Sequence, residues 1–236
     1  MVTPGLVDHR LQLPLYHLPE SLQGLRCLAV GWMDNFWASE MERRGAAEVV
    51  AIDQARHPDL PYGVREEWTW TGQDRPKGAD FGLAHEAGSP KVKKQTISVY
   101  DLSPELLGEF DFIFLGDLLL HLRDPQLALQ RIRSVCRGVV YVAEVWHPDL
   151  ESFGDVCLAE YPIWVQGESV RWRMNVNTIK RMILVAGFDT VEQLSRFRLE
   201  APGAPAGCLT GTVVLQGTLA REHAHESPLQ ELVETR

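Results

Sequence analysis

The sequence predicts an α/β fold, a mostly parallel sheet with helices on both faces, and three observations predict it. Leu25 to Asp53 reads as strand, helix, strand, with apolar runs at Leu25, Cys27 to Val30 and Val49 to Ile52 flanking an amphipathic segment. These runs are short, bounded and partly β-branched, as strands buried on both faces of a parallel sheet are. Phe110 to Leu115 and Val139 to Trp146 repeat the pattern around a second amphipathic stretch.

Local chemistry justifies each element. In the first helix Asp34 or Asn35 can cap the free N–H groups, Trp37 and Met41 share one face, Glu40 can meet Arg43 or Arg44 on the outer side, and Gly45 supplies the stop. Residues 1–22 read as an N-terminal arm, with Leu15, Tyr16 and Leu18 placed to cross a crevice mouth or to pack on the domain. Gln54 to Gln95 is broken repeatedly by Pro and Gly, too long for an idle loop in a compact domain. Trp68 and Trp70 lie within it, and Phe81 to Ala87 suits one helical segment. Thr96 to Tyr100 reads as a strand ended by Asp101, and Ser103-Pro104-Glu105 as a helix start.

Asp124-Pro125 opens a helix whose apolar face holds Ala128, Ile132, Val135 and Cys136. Pro148 to Val176 has no clear period and carries Trp164, Arg171, Trp172 and Arg173. Thr178 to Ala186 reads as a helix with Asn177 as cap and Gly187 as stop, followed by strands at Phe188 to Leu199 and Gly211 to Leu219 joined through Ala201 to Gly207. The expected division is an arm over 1–22, one domain over 23–220 with covering loops at 54–95 and 148–176, and a polar tail over 221–236.

A right-handed strand, helix, strand unit leaves the turn after the first strand facing a crevice at the carboxyl edge of the sheet. Asp53 stands 22 residues beyond Gly31, where an acidic side chain can accept from both hydroxyls of a ribose. The phosphate-binding pattern G-x-G-x-x-G is missing: the turn reads Gly31-Trp32-Met33-Asp34-Asn35-Phe36, and its carboxylate would repel a pyrophosphate. A ribose-bearing ligand without phosphates fits this turn, which counts against an NAD-dependent oxidoreductase.

The stretches VGWMDNFWASEMERRGAAEVVAID and VYDLSPELLGEFDFIFLGDLLLHLRDPQLAL resemble class I S-adenosylmethionine-dependent methyltransferases, and more narrowly the group that includes the tRNA wobble-uridine carboxymethyl- and methyltransferases. The resemblance spans roughly residues 20 to 190 by its motifs. It implies a Rossmann-like seven-stranded sheet, with Phe188 to Leu199 and Gly211 to Leu219 as strands six and seven and the last antiparallel. It also implies S-adenosyl-L-methionine as cofactor, held by Gly31, Trp32, Asp34, Asp53, Tyr100, Asp101, Gly116 and Asp117, with Tyr100 and Asp101 at the adenine. Ala29 and Asn35 depart from the usual motif, which has an acidic residue and a glycine there.

Methyl transfer needs alignment more than acid–base chemistry, and a general base only when the acceptor is a hydroxyl or a protonated amine. Candidates at the carboxyl edge are His121, Asp117, Glu144 and His147. His121 is chosen, because it follows strand four and has a neutral form near pH 7. His121, Glu144 and His147 are legitimate metal ligands, but nothing in their spacing requires a metal, and none is expected.

With 236 residues and 45% hydrophobic content the chain suits one α/β domain. Its net charge of −9 lacks the basic balance of a protein that binds through phosphates. The basic cluster Lys91, Lys93 and Lys94, extended by Arg171 and Arg173, is the feature that would suit tRNA; the tryptophans suit an apolar or ring-bearing small molecule, which is the preferred acceptor. Four cysteines without metal-type spacing, no leader-like apolar start and no membrane-length run point to a cytoplasmic protein with no membrane partner. The rival is a non-catalytic binding protein on the same fold.

Overall fold

The computed structural model describes residues 9–31, 36–52, 92–161, 171–198 and 211–220. Strands β1 (Arg26–Gly31), β2 (Glu48–Ile52), β3 (Val92–Gln95), β4 (Phe110–Gly116) and β5 (Cys136–Trp146) run parallel. A two-stranded piece, β6 (Ala159–Glu160) with β7 (Arg173–Met174), stands apart from the main sheet. β8 (Thr190–Arg198) and β9 (Gly211–Thr218) complete a seven-stranded sheet of order β3-β2-β1-β4-β5-β9-β8, in which β9 is antiparallel to both neighbours. This is the expected seven-stranded, mostly parallel sheet.

Alternation along the strands feeds two cores. Leu28, Val30, Ile113, Leu115, Val140 and Val142 face one side, where Ala128, Leu129 and Ile132 of helix Pro125–Ser134 and Ile179 and Ile183 of helix Val176–Val185 cover them. Cys27, Val49, Phe112, Phe114 and Tyr141 face the other side, covered by Ala38 and Met41 of helix Phe36–Arg43 and by Tyr16, Leu18 and Leu22. Tyr16 is buried against Trp37, Phe114 and Phe197, so the segment before β1 packs on the domain.

Several boundaries differ from the sequence reading. The third strand is Val92–Gln95 instead of Thr96 to Tyr100; it pairs with Val49 to Ile52, and as an edge strand it tolerates Lys93 and Lys94. Val99–Asp101 is a 3-10 turn. Asp124 does cap the next helix, accepting from the N–H of Leu127 at 2.9 Å, but Val135 ends that helix and Cys136 begins β5. The cap of helix Val176–Val185 is Asn175, not Asn177: its Oδ1 accepts from Thr178 N–H at 3.0 Å. Glu40 lies inward, with only 6% of its surface exposed. It binds Arg43 and Arg44, and Arg44 reaches on to the carbonyls of Leu18 and Pro19, which draws the N-terminal segment over the helix. The readings at Asp34, Asn35, Trp68, Trp70, Phe81 to Ala87, Lys91, Trp164, Ala201 to Gly207 and residues 221–236 lie outside the described residues.

Candidate functional site

In the strand order, β2 and β3 lie on one side of β1 and β4 and β5 on the other. The strand order therefore reverses between the parallel strands β1 and β4, and ligands of open α/β sheets bind outside the carboxyl ends of strands at such a point. Both strands end in glycine there. Gly31 and Gly116 are register partners, and a Cβ on Gly31 would stand 3.1 Å from the Gly116 carbonyl oxygen. A Cβ on Gly116 would meet the Phe114 ring at 3.0 Å and Trp37 Nε1 at 3.5 Å. Trp37 itself stacks on Phe114, with ring centroids 4.2 Å apart. The edge is thus bare backbone above an aromatic floor.

Trp32 and Asp34, after β1, and Asp53, after Ile52 at the end of β2, lie outside the described residues. Tyr100 and Asp101 occupy the turn that follows β3, capped by Ser98, whose Oγ accepts from Tyr100 N–H at 3.3 Å. The Tyr100 hydroxyl accepts from Asp124 N–H at 3.0 Å, tying this turn to the start of helix Pro125–Ser134. Asp101 is exposed.

Beyond β4, Asp117 has a left-handed backbone (φ 44°), and its N–H donates to the Ala143 carbonyl at 2.9 Å. Asp tolerates that conformation better than most residues. The reversal leads into the 3-10 turn Leu119–His121, which places a half-buried His121 at the same edge. Glu144, fully buried on β5, holds this turn: its Oε2 accepts from Leu119 N–H at 2.7 Å and its Oε1 from Val145 N–H at 3.0 Å. Burial first and the charge of Asp117 second push its carboxyl up to about 8, against the pull of the backbone donors.

Past β5, His147 donates its N–H to the Met174 carbonyl and takes the Arg173 Nε–H at Nδ1, 3.4 Å away. The structure therefore gathers Gly31, Gly116, Asp117 and His121 at one edge, with Tyr100 and Asp101 on the adjoining turn. Glu144 stood out in sequence as an acid near a strand end; its role as a latch depends on a bond to a residue 25 positions away. Asn175 gave only a cap-like signal, yet its buried amide also binds Leu158 N–H at 3.1 Å and the Val156 carbonyl at 2.7 Å, anchoring the segment after β5. Among the described residues no group of three or more His, Cys, Asp and Glu side chains is placed to hold a metal ion, and no helix is long and apolar enough to cross a membrane.

The sequence matches no protein-family model and no curated protein. Solved structures do match. The N-terminal domain of EvdMO1 with S-adenosylhomocysteine bound superposes with a TM-score of 0.57 at 16% identity, over 89% of this chain and 79% of that one. The 1,6-didemethyltoxoflavin-N1-methyltransferase of Burkholderia thailandensis, bound to its namesake compound and S-adenosylhomocysteine, gives 0.55 at 14% identity, over 84% and 72%. The [4+2]-cyclase SpnF gives 0.55 at 15% identity, over 89% and 81%. At such identities the likeness speaks for architecture alone: this chain has the Rossmann-like fold on which those proteins are built.

Proposed function

We propose that the protein is an S-adenosylmethionine-dependent methyltransferase acting on an oxygen or nitrogen of a small-molecule acceptor. The observation that carries the reading is the pair of facing glycines, Gly31 and Gly116, at the sheet's reversal point. A Cβ on Gly31 would press on the Gly116 carbonyl and one on Gly116 on the Phe114 ring and Trp37, so both strand ends stay bare backbone, and the sequence after Gly31 lacks the G-x-G-x-x-G phosphate pattern. A phosphate-free nucleoside ligand fits that donor set, with Gly31, Trp32 and Asp34 around its amino-acid part and Asp53 at the ribose hydroxyls. Tyr100 and Asp101 would lie at the adenine, and Gly116 and Asp117 beside the sulfur. Neighbours of the same fold hold S-adenosylhomocysteine, which supports the assignment.

When bound, S-adenosylmethionine supplies a methyl carbon already activated by its sulfonium. The chain's own contribution is alignment and exclusion of water. His121 is the group placed to take a proton from an acceptor hydroxyl or ammonium at its imidazole nitrogen. Glu144, kept neutral by burial, fixes the turn that carries it.

Charge supports a small acceptor over tRNA. Lys93 is paired with Glu48 at 2.9 Å, and Arg173 with Asp149 at 2.6 Å and with Glu160. Lys93 and Lys94 on β3 lie four strand spacings, about 19 Å, from β5, and Arg173 stands on β7 beside the end of β5, which supports separate basic groups over one continuous patch. The same reading places the protein in the cytoplasm, with Cys27 and Cys136 as buried thiols. It treats 23–220 as the catalytic unit.

Calorimetric titration with S-adenosylmethionine, S-adenosylhomocysteine and NAD tests the cofactor. The first two should bind and NAD should not. Binding of NAD alone, or of none, overturns the proposal, the latter in favour of a non-catalytic protein or another reaction on this fold. Tight binding of bulk tRNA with a steep salt slope in a gel-shift series would overturn the small-molecule acceptor.

A further inference from the structure

Near the end of β5 three buried N–H donors have no acceptor among the described residues, Nε1 of Trp146, Nε2 of His147 and Nε of Arg171, and the last two adjoin one strap of chain. The strap, Arg171 to Met174, carries Arg171 at one end and passes beside His147 at the other. The N–H groups of Arg171 and Trp172 donate to the Leu120 carbonyl at 2.8 and 3.1 Å, and the Met174 carbonyl accepts from His147 N–H at 3.3 Å. The strap therefore crosses from the His121 turn to the end of β5.

Arg173 sets the state of His147. Its guanidinium is held by Asp149 and Glu160, and its Nε–H points at His147 Nδ1. A guanidinium only donates, so Nδ1 is the bare nitrogen and the hydrogen of the neutral ring sits on Nε2. Burial first and the Arg173 charge second hold His147 below the usual imidazole range. No carboxylate among the described residues pairs with the Arg171 guanidinium. Next to it on the strap, the Trp172 indole N–H is bound to the Leu122 carbonyl at 2.9 Å, and the Tyr161 ring meets the indole edge-on at 5.0 Å.

Two donors at the strap, a guanidinium with no carboxylate partner among the described residues and an aromatic wall describe a complementary ligand. We propose that the strap is an anchoring subsite for an aromatic carboxylate, whose oxygens accept from His147 Nε2–H and Arg171 Nε–H while its ring lies along Trp172 and Tyr161. The inference rests on the methyltransferase reading and names the acceptor class for it. Buried donors are ordinarily satisfied, and a carboxylate offers two acceptor oxygens and a negative charge to match the guanidinium. Arg173, already neutralised by two acids, is a positioning residue that selects the His147 tautomer.

The test is calorimetric titration of the full chain with benzoate and with its neutral analogue benzamide, with and without S-adenosylhomocysteine. Benzoate should bind at least tenfold more tightly than benzamide. Arg171→Lys, which keeps the charge but loses the Nε donor, and His147→Phe should each weaken benzoate at least fivefold while leaving S-adenosylhomocysteine affinity unchanged. Equal affinities for the two probes, or no benzoate binding, overturn the subsite. Failure of S-adenosylhomocysteine to bind counts against the methyltransferase reading instead, and the benzoate comparison still decides the subsite. Independently of any variant, long-range ¹H–¹⁵N spectra of histidine-labelled protein should show His147 neutral and protonated at Nε2; a proton on Nδ1 overturns the proposal.

Discussion

The backbone N–H of Leu119 donates to Glu144 Oε2 at 2.7 Å, so the turn after β4 is latched to a fully buried acid on β5. Backbone donors favour the carboxylate, but burial first and the nearby Asp117 second outweigh them and push the carboxyl up to about 8.

That state makes stability depend on pH. The folded chain holds the Glu144 proton up to about 8, whereas the unfolded chain releases it near 4.5. The contribution is fully present below the unfolded value and is lost as pH rises through the folded one. Glu144→Gln should flatten this fall. Urea denaturation of both proteins at about pH 5 and about pH 8 reads the difference in slope, and identical slopes would show that Glu144 is already ionised.

Gly31→Ala puts a methyl 3.1 Å from the Gly116 carbonyl, which belongs to a paired strand and has little room to yield. The expected cost is about 1–3 kcal/mol of stability, together with weakened S-adenosylmethionine binding. Thermal denaturation and calorimetry measure the two. A variant as stable and as tightly binding as the wild type would mean that the glycine pair is not the cofactor's floor.

Asp53→Ala should lower S-adenosylmethionine affinity by about 1.5–3 kcal/mol, the scale of hydrogen bonds to a charged group, with the melting temperature unchanged. Unaltered affinity would remove Asp53 from the ribose site.

With an acceptor in hand, His121→Ala should reduce kcat by about 10²–10⁴ for a hydroxyl acceptor, the usual contribution of a general base. Cofactor affinity should not move. A variant with full kcat would assign His121 a packing role only.

At the opposite edge of the sheet, Asp111 serves as a control. It is 2% exposed and binds Arg26 N–H at 2.9 Å and the Arg137 guanidinium at 2.9 and 3.0 Å. Asp111→Ala should cost about 1–3 kcal/mol by leaving the Arg26 N–H without its acceptor, while the 37% exposed Arg137 side chain turns to solvent, yet leave cofactor affinity in the folded protein intact. A selective loss of binding would contradict the placement of the site at the carboxyl edge.

Short-range signals in the sequence were enough for much of the fold. The apolar runs at Cys27 to Val30, Val49 to Ile52 and Phe110 to Leu115 became β1, β2 and β4, and the Asp124-Pro125 pair did start a helix, because burial patterns and caps act over a few residues. The third strand was misplaced for the opposite reason. Val92–Gln95 carries two lysines and becomes a strand only because β2 offers it a free edge, a partner more than forty positions upstream. Asn175 wins the cap from Asn177 because its amide is also bound by the segment after β5.

By itself, the sequence determined the class of sheet, most of its strands, and a glycine turn that lacks the phosphate-binding pattern. Only the tertiary structure decided that Gly31 faces Gly116, that Glu144 is buried against the His121 turn, and that the Arg173 Nε–H points at His147 Nδ1. Each of these depends on strand register or on a contact between distant segments, and no local pattern of residues encodes such a distance.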